Sequence, residues 1–172
     1  MSSEAPAAGL MAGKRGLIMG LANDKSLAWV ISKQLGDSGA ELAFSYQGER
    51  FKDRITDFAA EFDSKLIFDC DVGSDEQIEA MFKHLSATWP TFDGFVHAIG
   101  FAPREAIAGN FFDGLNRENY RIAHDISAYS LVALAKAGRP LMQGRNGSIL
   151  TLSYLGAERT MPNYNVMGMA KA

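Results

Sequence analysis

The chain has 172 residues, with 17 Lys and Arg against 20 Asp and Glu for a formal charge of −3; 47% of residues are hydrophobic and 22% charged. That length suits one domain with a proper core, and so apolar a composition with so small a net charge excludes intrinsic disorder. The mild acidity gives no general pull toward nucleic acid or an anionic membrane, and the single cysteine, Cys70, excludes an intramolecular disulfide framework or a cysteine-only zinc site.

Met1 to Ala12 has no basic residue ahead of its Ala-rich stretch, so it reads as a flexible N-terminal segment rather than a signal peptide. A single domain is expected over residues 13–172. Beyond it, short runs of strand formers alternate with longer amphipathic stretches. Arg15–Gly20 is a buried strand ending in glycine. Ser26–Ser38 places Leu27, Val30, Ile31 and Leu35 at helical spacing and is closed by Gly39. Glu41–Tyr46 is the second strand, and Glu49–Phe62 a helix with Phe51, Ile55, Phe58, Ala59 and Phe62 on one stripe. Lys65–Phe68 is the third strand. Ser74–Trp89 is a helix with Ser74 as cap, Gln77 completing a capping box, and Pro90 as its stop. Phe92–Ala98 is the fourth strand, Asn116–Ala137 a long helix and Ser148–Leu152 the fifth strand. Thr160 reads as the cap of a last helix with Pro162 in its first turn. No apolar run approaches the roughly 18 residues that span a bilayer. The lone cysteine fits a reducing compartment, so a cytoplasmic location is expected.

Such alternation predicts parallel strands joined by helical crossovers, with ligands beyond the carboxyl ends of the strands. After the first strand, Gly20 allows close backbone approach, Ser26 places a hydroxyl at a helix start, and Ala28 is small. These are the requirements of a dinucleotide pyrophosphate, although GxGxxG is absent and the spacing equally describes an ordinary loop with a serine cap. At the second strand end, Gln47 stands where many NAD sites carry an acid. It still hydrogen-bonds ribose, while Arg50, three residues on, is either a solvated helix charge or a partner for a 2′-phosphate. Asp71 and Val72 suit an adenine platform, or Asp71 is a turn residue.

Tyr164 and Lys171 are seven residues apart, and seven steps of about 100° bring both to one helix face. A neighbouring ammonium would lower the phenol's pKa, and the same lysine can reach ribose hydroxyls. That pairing suits a reaction in which charge develops on a carbonyl oxygen. Tyr154, after the fifth strand, is either a second hydroxyl lining the cavity or a packing aromatic.

Together, Gly20-x5-Ser26-x-Ala28, His97-Ala-Ile-Gly-Phe-Ala102, Ser153-Tyr-Leu-Gly-Ala-Glu-Arg159 and Tyr164-x6-Lys171 resemble the bacterial NADH-dependent enoyl-acyl-carrier-protein reductases, divergent short-chain dehydrogenase/reductases. The resemblance runs from about Gly13 to Ala172. It implies a Rossmann-like, doubly wound parallel sheet in an α/β fold, with the C-terminal part of the family fold absent from this chain. It assigns Gly20, Ser26 and Leu27 to the pyrophosphate, Gln47 to the adenosine side, and Asp71 and Val72 to adenine. Ile99 and Gly100 would line the cofactor near its ribose and Ala102 would border the acyl substrate. Tyr164 would bond the thioester carbonyl, Tyr154 share the cavity, and Lys171 bind the nicotinamide ribose. The implied reaction is reduction of a trans-2-enoyl thioester on acyl carrier protein. NADH is the donor, NADPH stays open, and the implied assembly is a homotetramer packed through the long helix and the last one. A carbonyl reductase of the same superfamily, where Tyr-x3-Lys is the commoner spacing, and a non-catalytic NAD-binding fragment are the alternatives.

The remaining residues carry less chemistry. His84, His97 and His124 have no metal-ligand spacing, so no metal site is expected; His84 and His124 read as surface or satisfied polar groups. Cys70 reads as inert. Met161, Met167 and Met169 suit either packing or an adaptable wall for a fatty chain.

Overall fold

The structure is a computed structural model describing residues 9–172. Five parallel strands form one sheet in the order β3-β2-β1-β4-β5: β1 Arg15–Met19, β2 Glu41–Tyr46, β3 Ile67–Asp69, β4 Gly94–His97 and β5 Ser148–Thr151. The helices are α1 Leu27–Asp37, α2 Lys52–Ala60, α3 Asp75–Thr88, α4 Arg104–Ile107, α5 Phe111–Gly114, α6 Arg117–His124, α7 Ser130–Met142 and α8 Asn165–Lys171. The expected flexible segment, residues 1–12, lies outside the described residues for positions 1–8. Met11 within its remainder donates its N–H to the Ser38 carbonyl at 2.8 Å, which ties that part to the end of α1.

The central strand explains the layering. Successive side chains of β1 point to opposite faces, and Leu17, Ile18 and Met19 are all fully buried. Leu17 and Met19 join Phe95, Ile78, Met81, Leu85 and Leu134 beneath α3 and α7. Ile18 joins Leu42, Phe44, Val96, Ala28 and Ile55 beneath α1 and α2. A third cluster, of Ala106, Ala123, Val166, Met167 and Ala170, packs α4, α6 and α8 together. At the sheet's far edge β5 is exposed along its whole length, with Ile149 44% and Leu150 47% accessible.

Several element ends differ from the sequence reading. Ser74 caps α3 by accepting from the Gln77 N–H at 3.3 Å, but Gln77 does not return the bond. Its Oε1 accepts from the Asp71 N–H at 2.8 Å instead, fastening the loop after β3. The long helix contains a π turn at Asp125–Tyr129 and runs past Ala137 to Met142. Pro140 lies inside the last turn of α7, where it cannot donate to the carbonyl of residue 136, and the helix ends two residues later. Thr160 caps nothing: α8 starts at Asn165, itself at φ 38°, and Asn163 two residues earlier stands at φ 57°. Backbone at positive φ does not continue a right-handed helix.

The amino ends of the strands are held by one carboxylate. Asp93 accepts from Lys14 Nζ at 3.1 Å, Arg145 Nη2 at 2.8 Å and the Arg15 N–H at 2.9 Å, and its side chain is 10% exposed. Burial pushes this carboxyl up, but the bonds from Arg145, Arg15 and Lys14 outweigh it and hold it down at about 2. A depressed folded-state pKa means stability fully present above the ordinary value of 3.8 and lost as pH falls toward 2. Asp93→Asn is expected to cost about 1–3 kcal/mol in urea unfolding at pH 7. It should also flatten the acid limb of the stability curve below pH 4, since the titrating group is gone.

Candidate active site

The carboxyl ends of β1 to β4 open into one cleft of about 720 Å³, within the range of small-molecule sites. Its walls include Gly20, Gln47, Asp71, Val72, Ile99 and Gly100, so six of the residues read as cofactor contacts meet in one place. Gly20 has φ +89°, and a Cβ there would overlap the Ala98 carbonyl. Only glycine lets β1 turn toward α1 so close to the neighbouring strand. Ser26 is the cap of α1: its hydroxyl accepts from the Trp29 N–H at 3.3 Å and donates to the Asn23 carbonyl at 2.7 Å. Leu27, the first residue of α1, is 65% exposed and does not line the cleft. The cleft rim also carries Arg50, whose guanidinium lies 4.6 Å from the Phe51 ring centre. Gly48, between Gln47 and Arg50, donates its N–H to Asp69 Oδ1 at 2.8 Å, which joins the ends of β2 and β3.

The donor set fits a dinucleotide. Gln47 offers an amide, Asp71 a carboxylate beside the apolar Val72, and the glycine turn leads to the start of α1. At the cleft floor, burial pushes the Cys70 thiol up to about 12, and the Asp71 and Asp69 carboxylates add to that. It stays protonated and unreactive.

Lys171 approaches from the end of α8. Its ammonium donates to the Ile99 carbonyl at 2.8 Å and the Leu152 carbonyl at 3.0 Å, the backbone just beyond β4 and β5. Gly100 leaves room for the approach: a Cβ there would lie 3.2 Å from Lys171 Cε, close enough that the lysine would have to shift by a few tenths of an ångström. Ser153 completes the anchorage by donating its hydroxyl to the Lys171 carbonyl at 3.1 Å. Burial lowers the lysine's pKa.

Tyr164 differs from the sequence reading. It is the residue before α8, with φ −115°, so the seven-step face argument does not apply to its backbone. Its ring meets Tyr154 edge to face, centroids 4.8 Å apart. Its pKa is raised, first by burial and then by Tyr154, rather than lowered by the lysine. The phenol therefore keeps its proton at neutral pH and is available as a donor. Tyr154 itself is 50% exposed. Ala102 is half-buried and packs on the α4–α6–α8 cluster, next to Phe101 in the cleft wall.

Sequence reasoning did not find Ser127 or the π turn that carries it. The buried Ser127 hydroxyl accepts from the Phe101 N–H at 2.9 Å and lies 3.1 Å from the Phe101 carbonyl, gripping the loop between Gly100 and Ala102. Ile126, in the same turn, and Ile122 before it form the cleft's apolar wall. His97, fully buried at the end of β4, contacts Thr151 and Ser130 through its two ring nitrogens. Burial and then Lys171 lower its pKa to about 4.

Comparison with known proteins places this geometry in a family. The family model for enoyl-(acyl carrier protein) reductase matches residues 20–172. The enoyl-acyl-carrier-protein reductase (NADH) FabI of Neisseria meningitidis is 54% identical over 164 residues, covering 95% of this chain and 63% of that protein. Crystal structures of the enzyme from Aquifex aeolicus and of the one from Anaplasma phagocytophilum in complex with NAD superpose with TM-scores of 0.92 and 0.91, at 48% and 44% identity. Each covers 95% of this chain; the chain covers 70% of the first and 62% of the second. The chain thus spans less than two thirds of the length of the curated relatives it matches, 63% and 62% for the first two. Over that span it belongs to the enoyl-(acyl carrier protein) reductase family.

Proposed function

We propose that the protein reduces the trans-2 double bond of an enoyl thioester carried on acyl carrier protein, with NADH as donor, in the reductive step of fatty-acid elongation. The observation that carries this reading is the convergence of Gln47, Asp71, Val72, Ile99 and Gly100 on one cleft, with Lys171 bonded to the Ile99 carbonyl behind that wall, in a chain of this family. Bound in the cleft, NADH would supply a hydride from its nicotinamide ring.

The chain's residues bind and polarise. Asp71 and Val72 receive adenine, Gln47 the adenosine side, and the Gly20 turn the pyrophosphate, with Ser26 and the backbone of Leu27 contributing from the start of α1 beside the cleft rather than from its walls. Lys171 spends two of its three N–H donors on Ile99 and Leu152, leaving the third for a ribose hydroxyl. Reduction at the β-carbon would move negative charge onto the thioester oxygen, and a proton taken up at the α-carbon from solvent would complete the saturated thioester. Tyr164, a protonated phenol, donates to that oxygen, with Tyr154 beside it and Ala102 bordering the acyl chain. Gln47 can hydrogen-bond an unphosphorylated ribose, and the similar Neisseria meningitidis protein is named as an NADH enzyme, which supports NADH as the donor. The reading includes a homotetramer, for which the π turn and α7 supply exposed apolar surface: Tyr129 of the turn is 51% and Val132 of the helix 61% exposed. It also includes a cytoplasmic location, which one buried, unpaired thiol fits. No helix of the described residues is long and apolar enough to cross a membrane.

Two substitutions test the assignment. With crotonyl and acetoacetyl thioesters assayed side by side, only the crotonyl thioester should consume NADH. Tyr164→Phe is expected to lower kcat on the crotonyl thioester about 100-fold and leave the NADH dissociation constant unchanged; full turnover with weakened NADH binding would remove the tyrosine from its role. NADH binding with no turnover on either thioester would favour a non-catalytic module. Gly20→Ala forces a side chain into left-handed backbone and should cost about 1–3 kcal/mol in thermal unfolding. Fluorescence titration should show NADH affinity falling with it.

A further inference from the structure

The His97 ring sits at the last rung between β4 and β5, where it faces Thr151. Nδ1 lies 3.0 Å from Thr151 Oγ1 and Nε2 lies 2.8 Å from Ser130 Oγ, on the first residue after the π turn. Ser130 has one hydroxyl proton, and the Ile126 carbonyl at 2.7 Å is the nearer of its two acceptors, the other being His97 Nε2 at 2.8 Å. With the proton on the Ile126 side, the serine oxygen accepts toward His97 and Nε2 donates. With no exposed surface and the Lys171 ammonium near, the ring is favoured in its neutral form, and Nδ1 then accepts from Thr151, whose other acceptor, the His97 carbonyl, is farther away at 3.4 Å.

Above this rung lie the two carbonyls that hold Lys171: Ile99, two residues past His97, and Leu152, next after Thr151. The Leu152 N–H closes the rung by donating to the His97 carbonyl at 3.2 Å. One imidazole thus joins the end of β4, the end of β5 and the start of α7 directly beneath the lysine's acceptors.

We propose that His97 is a positioning residue: a neutral ring with its proton on Nε2, held between Thr151 and Ser130, that fixes the strand ends from which Ile99 and Leu152 present their carbonyls to Lys171. The proposal rests on the reading of Lys171 as a cofactor contact.

Nitrogen-15 histidine spectra of the protein should show one buried ring with Nε2 protonated and Nδ1 bare at pH 7. Thr151→Val removes the Nδ1 donor without changing side-chain shape, and Ser130→Ala removes the Nε2 acceptor. Each should weaken NADH binding about three- to tenfold, with kcat at saturating NADH unchanged, and Thr151→Ser should restore affinity. A ring protonated on Nδ1 overturns the proposal. So does parental NADH affinity in Thr151→Val and Ser130→Ala when Lys171→Ala binds NADH weakly. If Lys171→Ala binds NADH as the parent does, the cofactor reading of the lysine fails, and the positioning role falls with it.

Discussion

Between β4 and β5 the last ladder bond runs from the Leu152 N–H to the His97 carbonyl, and the lysine's two acceptors lie within two residues of it. At the opposite end of the same strand, Asp93 gathers Lys14, Arg15 and Arg145. A strand four residues long, β4 Gly94–His97, is thus fastened at its start by a charged cluster and at its finish by a neutral one. The two clusters differ because their surroundings do. Asp93 has two cations within reach and keeps its charge, whereas a buried imidazole near the Lys171 ammonium is held neutral.

The parallel arrangement then does the rest. With every strand running the same way, each carboxyl end arrives at one edge of the sheet, and residues far apart in sequence meet there. Gly20, Gln47, Asp71 and Ile99 share no sequence motif, yet each immediately follows or nearly follows a strand. This is why strand–helix alternation was enough to place them. β2 was read to its residue limits, and β1 and β5 to within one residue, because their side chains are strand formers bounded by turn residues. Gly20 and Asp71 were legible for a related reason: turn chemistry is local.

What stayed hidden depended on contacts between elements. The π turn shows in the sequence only as the five-residue step from Ile126 to Leu131, between steps of four and three, and one such step does not distinguish a π turn from a break in the apolar stripe. Yet that turn is what delivers Ser127 to the Phe101 backbone and Ser130 to His97. Gln77 had the right spacing for a reciprocal cap, but the free Asp71 N–H competes for its amide and wins it. Thr160 and Pro162 look like a helix start, which would put Tyr164 on the helix. Asn163, in left-handed backbone at φ 57°, holds the start back to Asn165. The phenol consequently sits beside Tyr154, where burial keeps its proton on, and Lys171 reaches the strand-end carbonyls instead. Donor and cation are divided between two places, which suits a phenol that bonds a substrate oxygen and an ammonium that bonds a ribose.

Amide hydrogen exchange with and without NADH addresses the central claim, that the carboxyl-end cleft is the cofactor site, most directly. The account predicts new protection over Gly20–Ala28, at Asp71–Gly73 and at Ile99–Phe101, with the Lys14, Asp93 and Arg145 end of the sheet unchanged. Protection confined to that opposite end, or none at a saturating NADH concentration, would contradict it.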